Sequence, residues 1–214
     1  MQAAWRRLAR AEARLAGNAS AVAGVDEAGR GPLAGPVVAA AVVLDRAGRW
    51  DGVHDSKQLS PLQRSELFAR VLTGARAFGW SVLGPRAIDQ LNIRGASLEA
   101  MRRAIARLRI PPDLVLVDGV DAVPGIACPQ HAVIGGDARL LSIAAASIVA
   151  KVVRDRIMDR LDRVWPAYGF ARHKGYGTPE HLEALGRVGP CALHRFSFAP
   201  VRVQELALLA KFPG

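Results

Sequence analysis

Residues 24–35 read Gly-Val-Asp-Glu-Ala-Gly-Arg-Gly-Pro-Leu-Ala-Gly, and the chemistry of the chain gathers around them. Two adjacent carboxylates, Asp26 and Glu27, end the apolar run 21–25, and a loop rich in glycine follows with one arginine and one proline. An acidic pair at a strand end suits a metal ion. Glycines without Cβ atoms let backbone N–H groups approach a sugar or phosphate closely. Two further carboxylates arrive in the same way. Asp118 ends the apolar run Leu114-Val115-Leu116-Val117, and Asp137 follows Gly135-Gly136 shortly before an apolar helical stretch. Carboxylates brought to one point repel each other, and either raised proton affinity or a divalent cation must relieve that. Ligation by oxygen alone selects Mg²⁺ or Mn²⁺, and two such ions can activate a water and stabilise the leaving oxygen of a phosphodiester. A zinc site does not compete, because His173, His181 and His194 lack the cysteine partners and the spacing it would need. Each fragment also has a plainer meaning: an Asp-Glu pair is a common solvated strand end, and glycine-proline clusters are common turns. Asp155, between Arg154 and Arg156, reads as a structural ion pair and stands as the fallback ligand should Asp137 not serve.

The elements that must position these groups alternate between strand and helix. Residues 21–26 form a first strand, and the continuously apolar residues 36–44 a buried central one. Pro32 and Pro36 keep the connecting loop from becoming helix, so Gly29-Arg30-Gly31 is not a dinucleotide fingerprint, which would open one. After the polar loop 54–60, Ser60-Pro61 supplies an N-cap and first-turn proline for a helix to about residue 72. A short third strand over 78–84 precedes a long helix over 86–108. That helix crosses over to the strand 114–117, most simply parallel to its neighbour, which places Asp118 at a carboxyl end beside Asp26. A short fifth strand over 132–134 leads to Asp137, and a buried helix over 141–164 follows. The N-terminal residues 1–15 carry Arg6, Arg7, Arg10 and Arg14 on an alanine-rich helical pattern, amphipathic or loosely packed.

Composition narrows the class. The 214 residues suffice for one sizeable core with some elaboration. The net charge of +10 favours a polyanionic partner, nucleic acid before membrane. Of the 29 basic residues only Lys57, Lys151, Lys174 and Lys211 are lysines, so an arginine-rich and alanine-rich bias accounts for part of the excess. Two cysteines, Cys128 and Cys191, give no disulfide framework. With no uncharged membrane-length stretch and no signal-peptide layout, a soluble cytoplasmic protein without membrane attachment is expected.

The motifs together resemble the ribonuclease HII family. The resemblance is carried by Val25-Asp26-Glu27-Ala28-Gly29-Arg30-Gly31-Pro32-Leu33-Ala34-Gly35-Pro36-Val37, by Asp55-Ser56-Lys57, and by Leu116-Val117-Asp118-Gly119. It continues through residues 144–152 with Arg154-Asp155, through His173-Lys174-Gly175-Tyr176-Gly177-Thr178, and ends on residues 194–201. The resemblance implies a ribonuclease H-like α/β fold, a mixed five-stranded sheet flanked by helices with a C-terminal helical extension. Residues 1–20 would form an N-terminal helical extension, 21–165 the catalytic core, and 166–214 a substrate-sensing loop and helices continuous with it. It implies an endonuclease that cuts the RNA strand of RNA·DNA hybrids and incises 5′ to single ribonucleotides in duplex DNA, as in ribonucleotide excision repair, leaving 3′-hydroxyl and 5′-phosphate ends. By residue matching, the metal ligands fall on Asp26, Glu27, Asp118 and Asp137, with Mg²⁺ or Mn²⁺ as cofactor. Gly29, Arg30 and Gly31 match the loop that meets the 2′-hydroxyl, Tyr176 the tyrosine that senses the RNA-DNA junction, and Lys57 a lysine near the phosphates. Lys174 is a further expected phosphate contact. One departure is visible: family members commonly carry lysine before the fourth aspartate, where this chain has Gly135-Gly136.

Two other functions fit parts of this pattern. A basic, non-catalytic nucleic-acid-binding protein would use its acidic residues as structural caps and would bind without metal-dependent cleavage. Another metal-dependent nuclease on the same fold, a junction resolvase or ribonuclease HIII, would differ in substrate. Ribonuclease HIII usually carries an extra N-terminal domain, for which residues 1–20 are too short. A monomer is expected. Residues 204–212 resemble a sliding-clamp-binding tail, although an ordinary amphipathic helix is the preferred meaning.

Overall fold

The computed structural model describes residues 2–209, with side chains described for residues 4–206. Five strands, β1 (Val22–Ala28), β2 (Val37–Val43), β3 (Ala77–Leu83), β4 (Leu114–Asp118) and β5 (Gln130–Val133), form one sheet in the order β3-β2-β1-β4-β5. β1 is antiparallel to β2 and parallel to β4, which is itself parallel to β5, so the sheet is mixed as expected. The described residues also form seven α-helices: α1 (Gln2–Ala16), α2 (Pro61–Gly74), α3 (Pro85–Ala106), α4 (Leu141–Val164), α5 (Phe170–His173), α6 (Pro179–Val188) and α7 (Ala199–Leu209). The chain falls into two compact units. One comprises Met1–Ala28, Val38–Ser81 and Ser97–Val152, the other Gly29–Val37, Val82–Ala96 and Val153–Gly214.

In the first unit the centre of the sheet is buried on both faces, while the edge strands β3 and β5 are partly exposed. All seven residues of β2 are buried, as a central strand with no polar alternation requires. The opening residues of α4, through Ala150, are buried as well. At Gly24 an added Cβ would stand 2.1 Å from the backbone carbon of Ser142, so glycine is what lets this helix press directly on β1. Helix α1 is firmly docked rather than loose. Leu8 and Ala16 are buried, the Trp5 indole donates to Asp51 at 2.9 Å, and the Glu12 carboxylate accepts from both the N–H and the hydroxyl of Ser142 at 2.7 Å. Glu12 thereby satisfies a free N–H in the first turn of α4. Ser60 caps α2 in a capping box with Gln63, with Pro61 in the first turn.

The expected uninterrupted helix over 86–108 is instead kinked. Asn92 sits at φ +55°, outside helical geometry, and its side-chain oxygen accepts from the Gly95 N–H at 3.0 Å. Asparagine tolerates that conformation and caps the helix that restarts after it, so one apolar pattern covers two helical segments.

The second unit is built on Ala34, Met158, Tyr168, Phe170, Ala184 and Cys191, with Leu33, Leu185 and Val201 forming a smaller cluster. Asp89 accepts from the N–H groups of Phe196 and Ser197 and from the Ser197 hydroxyl, which fixes the approach to α7.

Candidate active site

In the first unit three parallel strands deliver carboxylates at their carboxyl ends. Val25 pairs with Val117 across β1 and β4, so the next step along that register brings Asp26 beside Asp118. Adjacent strands lie about 4.8 Å apart. Asp118 is paired with Val133 across β4 and β5, and β5 leads through Ile134, Gly135 and Gly136 to Asp137 in a single 3₁₀ turn. Gly135 adopts φ +63°, the left-handed conformation that turns the chain back, and the Gly136 N–H donates to Asp118 Oδ1 at 2.6 Å. A Cβ at 136 would stand 2.5 Å from Ile143 Cδ1, so glycine suits this tight turn.

These carboxylates act on one another. Asp26 is 5% exposed, and burial followed by the charges of Glu27 and Asp118 pushes its carboxyl well above the usual range. Burial, with a contribution from Asp137, also raises Asp118. Lys57 lies in the same field. Its ammonium donates to Asp137 Oδ2 at 3.0 Å, and that bond, helped by the charges of Asp137, Asp55 and Asp26, strengthens its hold on the proton. Asp55 in turn caps the short turn that presents Lys57 by accepting from the Lys57 N–H.

Two serines with no assigned role in the sequence reading belong to this network. Ser147 on α4 hydrogen-bonds the Asp26 carboxylate, and its hydroxyl meets that of Ser56 at 2.8 Å. In the sequence Ser56 stands next to Lys57, and Ser147 follows Ala144-Ala145-Ala146. A buried serine hydroxyl needs a polar partner, and a serine inside an otherwise apolar helical run such as residues 143–150 is the signal that points to Ser147.

Among the described residues no three His, Cys, Asp or Glu side chains stand in ready metal-holding geometry. The donor chemistry nonetheless fits hard divalent ions: the groups are all carboxylates, their charges oppose one another, and one ammonium already lies against Asp137 where positive charge is favoured. Asp155 belongs to the second unit, where its charge acts on Arg154.

In the second unit the loop after β1 is held by two buried arginines. Arg195, fully buried, donates to the carbonyls of Gly29 at 2.5 Å, Arg30 at 2.8 Å and Gly35 at 3.0 Å. Arg154 reaches the carbonyls of Pro36 at 2.9 Å and Lys174 at 3.0 Å. Burial, then the charge of Arg154, pushes Arg195 down to about 9. Gly29 takes φ +98°, and a Cβ there would stand 2.1 Å from Arg154 Nε, so the position admits only glycine. The backbone N–H of Leu33 bonds to the Gly175 carbonyl at 2.8 Å, which ties the loop to the 173–176 segment.

That tie brings two predicted substrate residues together. A Cβ on Gly31 would lie 3.7 Å from Tyr176 Cε1, and the Tyr176 ring, 44% exposed, has the Arg154 guanidinium 5.9 Å from its centre. Arg30 is exposed. Lys174 sits in a left-handed conformation at φ +52° with its ammonium on Asp159, so a phosphate contact would compete with that carboxylate. Beneath Tyr176, His181 bonds its carbonyl at 2.9 Å, His194 lies 3.1 Å from His181, and His173 stacks on His181.

The comparisons agree with this architecture. The family model described as ribonuclease HII matches residues 23–201. A ribonuclease HII of Rhizobium leguminosarum bv. trifolii is 59% identical over 184 residues, covering 86% of this chain and 80% of the relative. Among solved structures, ribonuclease H2 of Pyrococcus horikoshii superposes with a TM-score of 0.74 at 30% identity, covering 87% of this chain and 98% of that one. Ribonuclease HII of Archaeoglobus fulgidus, solved in complex with PCNA, gives 0.71 at 29% identity, covering 83% and 95%. The chain belongs to the ribonuclease HII family and is a nuclease of the ribonuclease H type.

Proposed function

We propose that the protein is an endonuclease that hydrolyses the RNA strand of RNA·DNA hybrids and incises duplex DNA on the 5′ side of a single embedded ribonucleotide. The observation that carries this is the mutual charge of Asp26, Glu27 and Asp118 at the ends of parallel strands, in a chain that also holds a glycine loop against an exposed tyrosine. Asp26, Glu27, Asp118 and Asp137 would hold Mg²⁺ or Mn²⁺, which when bound supplies Lewis-acid activation of water and of the phosphodiester.

The roles of the remaining residues follow from their chemistry. Ser147 fixes the Asp26 carboxylate, and Lys57 orients Asp137 while offering a donor to a non-bridging phosphate oxygen. The backbone groups of Gly29, Arg30 and Gly31 meet the 2′-hydroxyl, the one handle that separates a ribonucleotide from its neighbours in DNA. The ring of Tyr176 lies against the following sugar, where deoxyribose leaves room that a hydroxyl would fill. Arg30 and Lys174 take flanking phosphates. Water attacks in line, the P–O3′ bond on the 5′ side of the ribonucleotide breaks, and the products are a 3′-hydroxyl and a 5′-phosphate.

The protein acts here as a monomer. A sliding clamp is a further proposed partner, supported by the PCNA complex of the archaeal relative. In the stretch 204–212, side chains beyond residue 206 and all of 210–212 lie outside the described residues. Unchanged clamp binding after deletion of 204–214 would dispose of that partner.

The test is incubation with a duplex containing one ribonucleotide, with and without Mg²⁺ or Mn²⁺, and mapping of the cut. Metal-dependent cleavage only on the 5′ side of that nucleotide is expected. Binding without cleavage, or cutting confined to long hybrids, would overturn the proposal.

A further inference from the structure

Helix α1 precedes the span matched by the family model, so the family's shared chemistry does not account for its composition. It carries Arg6, Arg7, Arg10 and Arg14, all exposed, and a single acidic residue, Glu12, whose carboxylate is turned inward onto Ser142. At about 100° per residue, Arg7, Arg10 and Arg14 fall within roughly 60° of one another on the helix surface. The docking face, formed by Trp5, Leu8, Glu12 and Ala16, lies on the opposite side. From Arg7 to Arg14 the row extends about 10 Å, a length over which one DNA strand presents about three phosphates.

The row begins next to the groups assigned to catalysis. Arg7 and Leu8 line a groove of about 240 Å³ together with His54, Asp55, Gln58 and Ala138, of which Gln58 adjoins Lys57 and Ala138 adjoins Asp137 in the chain. Among the described residues, no carboxylate pairs with Arg7, Arg10 or Arg14. Asp55 in the groove is engaged by the Lys57 N–H and by Gln58. A rigidly docked helix bearing an unneutralised row of guanidinium groups complements the backbone of a nucleic-acid duplex.

We propose that the arginine face of α1 is an additional duplex-binding surface, holding the phosphates of the segment that flanks the cut. The identity of that duplex as the substrate rests on the proposed function; the binding itself does not. Solvated arginines in an arginine-rich chain would make no such contact, and the two cases separate by experiment.

The measurement is fluorescence anisotropy of the full-length, metal-free protein on a plain DNA duplex of about 30 base pairs across a salt series, which needs no cleavage. The Arg7→Gln/Arg10→Gln/Arg14→Gln variant should melt like the parent, bind about tenfold more weakly near 0.1 M salt, and lose about two to three from the slope of log Kd against log salt. The corresponding triple lysine variant should recover most of the affinity and the slope. Affinity and slope within twofold of the parent in the glutamine variant would overturn the inference and leave the nuclease proposal standing. Loss of binding to anionic vesicles with unchanged duplex binding would assign the face to a membrane surface and overturn it equally. If the ribonucleotide substrate proves wrong while the variant still loses duplex affinity, the surface survives and the proposed function fails.

Discussion

Asp26 carries two opposed demands. Burial and the charges of Glu27 and Asp118 favour its protonated form in the folded protein. Its folded proton affinity is therefore raised, and the stability it contributes is complete below the usual carboxylate range and lost as pH climbs through the raised value. At neutral pH, Asp26→Asn should relieve that cost. The metal-free variant is expected to melt higher by roughly 2–4 °C, equivalent to about 1 kcal/mol in a chain of this size, while its cleavage rate falls by roughly a hundredfold or more. Calorimetry and single-turnover cleavage on the same preparation check both signs. Gly29 is constrained differently. With φ +98° and Arg154 Nε where a Cβ would go, Gly29→Ala should cost about 2 kcal/mol or more. Thermal denaturation reads that cost directly.

At the scale of elements, what could be read from the sequence depended on whether a feature leaves a local pattern. β1 continues past Asp26 to Ala28 on its ladder with β2, but the end of β4 was legible because Leu114-Val115-Leu116-Val117 is an apolar run stopped by Asp118. The break at Asn92 was not, since an apolar pattern continues across it and only the bond to the Gly95 N–H reveals the restart. The supports of the glycine loop were hidden too: no local pattern marks Arg154 and Arg195 as buried, and seven backbone-directed bonds hold them inside. Lysine has no planar fork to replace several of these at once, so Arg195→Lys should lower stability by about 2 kcal/mol and raise KM on a ribonucleotide-containing duplex. The histidine stack adds a pH dependence. Burial, then the charge of His181, pushes His194 down to about 4. Its folded value being depressed, the stability it supports is present above pH 6.5 and lost as pH falls through 4. An acid melting series should show a fall of roughly 2–3 kcal/mol over that window, and a His194→Gln variant that still folds should show a smaller one.

At the scale of the whole molecule, the net charge of +10 sits uneasily beside a site built from carboxylates. The two are compatible if the positive charge holds the polyanion while the carboxylates take the cations that act on it. Among the described residues no helix is long and apolar enough to cross a membrane. The whole account depends on the acidic side chains binding divalent metal. The most direct measurement is Mn²⁺ binding by the substrate-free protein, followed by electron paramagnetic resonance for the parent, Asp26→Asn, Asp118→Asn, Asp137→Asn and Asp155→Asn. Affinity should fall at least tenfold in the first three variants and stay at the parent value in Asp155→Asn. Unchanged binding in Asp26→Asn and Asp118→Asn, or loss in Asp155→Asn with retention in Asp137→Asn, would contradict it.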